Sequence, residues 1–91
     1  GYTVGAITRN YMPDFIVITA DETRWIVEGK ADSEMTDPVV IAKRDAACAW
    51  VDAVNSSSDV HDTWGYLLVS ETAVKNAPGW VALKAAGYAH T

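Results

Sequence analysis

The sequence predicts an α/β domain built on a mixed sheet of about four strands, an antiparallel hairpin extended by a parallel strand that arrives through a crossover helix. Three observations predict it. Two β-prone runs, residues 14–19 and 24–28, flank the turn-like Ala20-Asp21-Glu22-Thr23, and so short a link joins neighbouring strands antiparallel. A helical segment then opens at Asp37-Pro38. Beyond it, residues 64–70 read Trp-Gly-Tyr-Leu-Leu-Val-Ser, and a strand reached through a helix pairs in parallel by a right-handed crossover.

Taken in order, residues 2–8 form a first short strand, with Tyr2, Val4 and Ala6 alternating against Thr3, Gly5 and Ile7. Residues 9–13 connect it to the next, and Pro13 biases Met12 towards extended backbone. In residues 14–19 the apolar side chains are successive rather than alternating, which suits a strand covered on both faces. Residues 29–36 are polar and loop-like. Asp37 is placed to cap a helix with Pro38 at its first position, running to about Val54 and ended by Asn55-Ser56-Ser57-Ser58. Val40, Lys43, Ala47, Trp50 and Val54 recur at spacings of three or four, so the expected inward face carries a lysine in its middle. Residues 56–63 make a polar loop. Residues 73–86 are helical, interrupted by Pro78-Gly79 and stopped by Gly87.

Composition narrows the class. The chain has 91 residues, 49% hydrophobic and 21% charged, which is ordinary for one folded domain. Residues 1–91 are read as a single domain and expected to be a piece of a longer polypeptide. No apolar run approaches the roughly 18 residues needed to cross a bilayer. One cysteine, Cys48, leaves no intrachain disulfide and fits a cytoplasmic location. Seven basic and twelve acidic residues give a net charge of −5, which argues against tight unaided grip on a phosphate backbone.

Three charged residues stand where a sheet should be apolar. Glu28 and Lys30 are two apart on a strand and therefore project together. The hairpin sets the start of one strand beside the end of the next, bringing Asp14 alongside them. Two carboxylates about 4 Å apart repel by roughly 4 kcal/mol at an effective dielectric near 20, so the pair needs a proton or a cation. Mg²⁺ suits it, being commonly held by one or two carboxylates, waters and substrate phosphate oxygens. The competing reading makes Glu28 and Lys30 solvent-facing residues at a strand end and Asp14 part of a Pro-Asp turn.

Pro13-Asp14, then 13 residues, then Glu28-Gly29-Lys30 resembles the PD-(D/E)xK nuclease superfamily. Tyr11-Met-Pro-Asp-Phe-Ile-Val, Trp25-Ile-Val-Glu-Gly-Lys and Lys43-Arg-Asp-Ala-Ala-Cys-Ala-Trp50 look most like the C-terminal endonuclease domain of type III restriction enzymes and related helicase–nuclease proteins, over about residues 9 to 70. The resemblance implies a restriction-endonuclease-like core and a metal-dependent endonuclease acting on DNA that other domains of the parent protein hold. It implies Asp14 and Glu28 as metal ligands with the Gly29 carbonyl as an extra one, Mg²⁺ as the ion with Mn²⁺ as substitute, and Lys30 as the catalytic lysine. Lys43 matches a helix position where many members carry a Lys or Gln near the phosphate; the alternative is a side chain snorkelling past Trp50 to water. The family core normally opens with a helix before its first strand, and that helix is expected to be missing from these 91 residues.

Other residues are given structural roles. Asp59-Val60-His61-Asp62 reads as a surface turn, His90 as part of a disordered terminus, Cys48 as a small packing residue, and Trp25, Trp50 and Trp64 as core. Trp80 stays open between core and base-stacking platform. Asp37 is explained by its cap. Two other functions compete: a nuclease-like domain that has lost activity and serves as a binding or scaffolding module, and an α/β interaction domain with an accidental Glu-x-Lys.

Overall fold

The computed structural model describes residues 14–91; the expected strand over residues 2–8 and the connection after it lie outside them. Strands β1 (Phe15–Ile18), β2 (Thr23–Lys30), β3 (Thr63–Ser70) and β4 (Tyr88–His90) form one mixed sheet in that order. β1 pairs antiparallel with β2, β2 parallel with β3, and β3 antiparallel with β4. Helix α1 (Pro38–Asn55) makes the crossover between β2 and β3, and helices α2 (Glu71–Asn76) and α3 (Trp80–Ala86) lie between β3 and β4.

The hairpin is closed by a side-chain-assisted turn. The Thr19 hydroxyl donates to Asp21 Oδ1, which also accepts from the Thr23 backbone N–H at 3.2 Å, while Thr19 N–H reaches the Thr23 carbonyl at 3.0 Å. Glu22 takes a left-handed φ of 66°, uncommon for a residue other than glycine. The Asp21 bonds reinforce the ordinary turn bond from Glu22 N–H to the Thr19 carbonyl at 2.9 Å.

Asp37 caps α1 as expected, accepting from Val39 N–H at 2.8 Å, with Pro38 behind it. At the other end the Asn55 side chain donates to the Trp64 carbonyl and accepts from its N–H, both at 2.8 Å, pinning the helix terminus to the start of β3.

The sheet is covered on both faces. On one, α1 packs Val40, Cys48 and Val51 onto Tyr66 and Leu68, with Ile26, Met35 and Ala47 alongside. On the other, Trp25, Val27, Leu67 and Val69 lie under Ala73 and Val74 of α2 and Trp80 and Leu83 of α3. β3 is therefore the centre of the fold, apolar on successive residues because each side has a layer to meet. Gly65 belongs to this packing. A Cβ there would come within 2.7 Å of the Trp25 ring, so its absence lets the indole lie on the strand.

Several expectations are corrected. Among the described residues β1 is the edge strand and is not covered on both faces: Ile16 and Ile18 are 57% and 64% exposed, because α1 packs over β3 with Ile26 of β2 alongside. The α1 face that is buried runs through Val40, Cys48 and Val51; it keeps Val40 and Ala47 of the expected stripe and is turned away from Lys43 and Trp50. Ala47 and Cys48 are small enough for close approach to the sheet, whereas Lys43 and the bulky Trp50 are left exposed. Trp50 is not core but stands edge-on to half-buried Trp64 at the rim, with ring centroids 5.5 Å apart. Trp80 belongs to the packing, tilted against Trp25 at 5.6 Å. The expected interruption at Pro78-Gly79 separates α2 from α3, and only the start differs: α2 begins at Glu71, two residues earlier than anticipated, where Ser70 caps it by accepting from Ala73 N–H at 3.1 Å. Past Gly87 the chain enters β4, so His90 is ordered, paired opposite Tyr66 and 2.7 Å from Asp52 Oδ1.

Candidate metal centre

Glu28 and Lys30 occupy the carboxyl end of β2, at the end of its parallel pairing with β3, where Glu28 stands opposite Leu68 and Lys30 opposite Ser70. The carboxyl ends of parallel strands are the usual ligand-binding edge of an open α/β sheet. Their side chains alternate away from buried Trp25 and Val27 and share the α1 face with Ile26. On the neighbouring strand Phe15 pairs with Val27 and Ile16 with Ile26. Continuing that register by one residue sets Asp14 directly across from Glu28, and facing residues on adjacent strands hold their Cβ atoms roughly 4.5–5.5 Å apart on one face.

The electrostatics agree with this placement. The Asp14 carboxyl is raised above its ordinary value, first by partial desolvation, then by the negative charge of Glu28, with Lys30 pulling in the opposite sense. Lys30 Nζ lies 3.6 Å from Glu28 Oε2, with both side chains mostly shielded from water. Glu28 Oε1 accepts a hydrogen bond from the Tyr66 hydroxyl. Tyr66 is 3% exposed, and its phenol is driven well above the usual tyrosine range by burial and then by that bond to Glu28. Two acids, an amine and a buried phenol thus converge on one corner of the sheet.

The donor set fits a hard, hydrated ion and not a closed protein cage. Among the described residues no group of three or more His, Cys, Asp or Glu gathers to hold a metal, whereas Mg²⁺ commonly takes one or two carboxylates and completes its shell with water and phosphate. Gly29, between the acid and the lysine, is buried in the strand. Lys43, expected to point inward, is exposed on α1 and makes no ion pair among the described residues. The Asp59–Asp62 loop is exposed, with Asp62 paired to Arg24 at 2.8 Å. Cys48 is buried in the core.

Tyr66 escaped the sequence reading. Its partner is 38 positions away, and only the β2–β3 register, which seats it opposite Ile26, brings its hydroxyl diagonally to Glu28. A polar-tipped aromatic within an otherwise aliphatic strand was the one available signal, since a buried hydroxyl requires a partner.

A raised carboxyl has a consequence for stability. The folded chain holds the Asp14 proton to higher pH than the unfolded chain, so this group's contribution is present below the ordinary carboxylate range and is lost as pH rises through its folded value. Asp14→Asn removes the charge. Without metal it is expected to melt higher than the wild type at pH 7, with the difference vanishing below the ordinary carboxylate range near 4. Added Mg²⁺ should stabilise the wild type and not the variant. Thermal unfolding with and without metal checks both; a variant less stable at pH 7 would contradict the charge-repulsion account.

Comparison with protein-family models, curated proteins and solved structures returns no match.

Proposed function

We propose that this chain is the nuclease core of a Mg²⁺-dependent DNA endonuclease with a restriction-endonuclease-like architecture, resembling the endonuclease domain of type III restriction enzymes and carried to DNA by other domains of its parent protein. The observation that supports this most is the β1–β2 register, whose continuation by one residue faces Asp14 with Glu28 at the carboxyl edge of the sheet, with Lys30 on the same face. Asp14 and Glu28 would hold the ion, with the Gly29 carbonyl as a further ligand. When bound, the ion offsets developing charge on the phosphodiester and acidifies the attacking water. Lys30 carries the positive charge that orients that water or stabilises the phosphate oxygens. Lys43, exposed on α1, would meet the phosphate backbone only with DNA laid along that side.

A second reading, a domain that has lost cleavage and serves as a binding module, draws on the net charge of −5. Metal titration separates the two. The chain is expected to take up Mn²⁺ or Mg²⁺ at millimolar concentration in calorimetry, with uptake lost in Asp14→Ala. No uptake by the wild-type chain selects the binding module.

A further inference from the structure

We infer that Tyr66 is a positioning residue that ties down one oxygen of Glu28 and thereby makes this corner selective for a small divalent ion over calcium. The inference rests on the metal-site reading above and extends it to ion specificity.

The two oxygens of Glu28 have different neighbours. Oε1 accepts the Tyr66 hydroxyl and Oε2 faces Lys30 Nζ at 3.6 Å. Tyr66 cannot easily release its partner. It is wedged among Val40, Cys48, Val51 and Leu68, and among the described residues its hydroxyl is hydrogen-bonded to Glu28. Turning Glu28 so that both oxygens face outwards would strand that hydroxyl in the core, at a cost of roughly 1–3 kcal/mol. The carboxylate is therefore held with Oε2 towards Lys30, and Oε1 has only its second lone pair left to offer an ion.

One-oxygen donation suits one class of ion. Mg²⁺ accepts octahedral geometry at about 2.0–2.1 Å and keeps its waters, whereas Ca²⁺ gathers six to eight oxygens at roughly 2.3–2.6 Å and often takes a carboxylate through both. A glutamate held by one arm serves the first and starves the second. Phenylalanine at position 66 keeps the ring and frees that arm.

The test compares two ions on the 91-residue chain. Mn²⁺, standing for Mg²⁺, and Ca²⁺ are titrated calorimetrically into the wild type and Tyr66→Phe, with thermal unfolding as the control for fold. Loss of a partner that orients a ligand typically weakens metal affinity about 10- to 100-fold. Mn²⁺ affinity is expected to fall by at least about tenfold while Ca²⁺ affinity holds or rises, so the preference narrows. Equal weakening of both ions, or no change in either, overturns the inference and leaves the metal site standing. Absence of Mn²⁺ binding in the wild type overturns both. Should Tyr66→Phe fail to fold, the carboxylate infrared difference spectrum of the wild type on adding Mn²⁺, with the Glu28→Gln response subtracted, decides: a one-oxygen signature supports the inference and a two-oxygen signature overturns it.

Discussion

Glu28→Gln in the full-length parent protein is expected to reduce DNA cleavage by roughly 10²–10⁴-fold, because charge stabilisation by a bound metal ion is worth several kcal/mol and each 1.4 kcal/mol is a factor of ten. Glutamine is the right replacement. Its side-chain oxygen still accepts from Tyr66, so the buried hydroxyl keeps its partner and the fold should survive. Alanine would leave that hydroxyl unpaired and mix a stability loss into the result. The variant removes one of the two facing negative charges and also the ion pair to Lys30, two effects of opposite sign, so without metal its stability should stay close to that of the wild type. Plasmid cleavage and thermal unfolding measured together check this. Cleavage within tenfold of wild type would sink the proposed hydrolytic role of the acid pair.

Leu67→Ala is expected to have the largest effect on stability. Leu67 is fully buried on β3, in the layer with Trp25, Val27 and Val69 beneath α2 and α3. Truncating a core leucine typically costs about 2–5 kcal/mol, the spread reflecting how far the cavity collapses. A chain of this length has roughly 5–14 kcal/mol in all, at about 0.05–0.15 kcal/mol per residue, so the variant stands close to unfolding at physiological temperature. Ile16→Ala on the exposed edge should stay within about 0.5 kcal/mol of wild type. Urea denaturation of the two variants checks the contrast, and comparable losses would mean that β1 is covered in solution.

Much of the fold was legible because its signals are local. The hairpin followed from two apolar runs and a four-residue link, and α1 from Asp37-Pro38 and the serine stretch that ends it. Orientation within those elements was not legible. The stripe through Val40, Lys43, Ala47, Trp50 and Val54 fits helical spacing as well as the seam through Val40, Cys48 and Val51 that is buried. Choosing between them depends on which side chains the sheet admits. β4 is only three residues long and owes its pairing to β3, so no local periodicity could announce it. In the candidate site, Asp14, Glu28 and Lys30 were found because charge in a strand is conspicuous. Tyr66 was passed over because its distinguishing feature is a partner distant in the chain.

The turn at Ala20–Glu22 governs more than the shape of a hairpin. Side chains on a strand alternate sides, so whether Asp14 meets Glu28 depends on the register that the turn sets between the two strands. A slip of one residue in that pairing would carry Asp14 through the plane of the sheet to the apolar layer around Val27 and Trp25. The Asp21 bonds that hold the turn therefore keep the reading frame of the pocket, although neither Asp21 nor Glu22 is among the residues that line it.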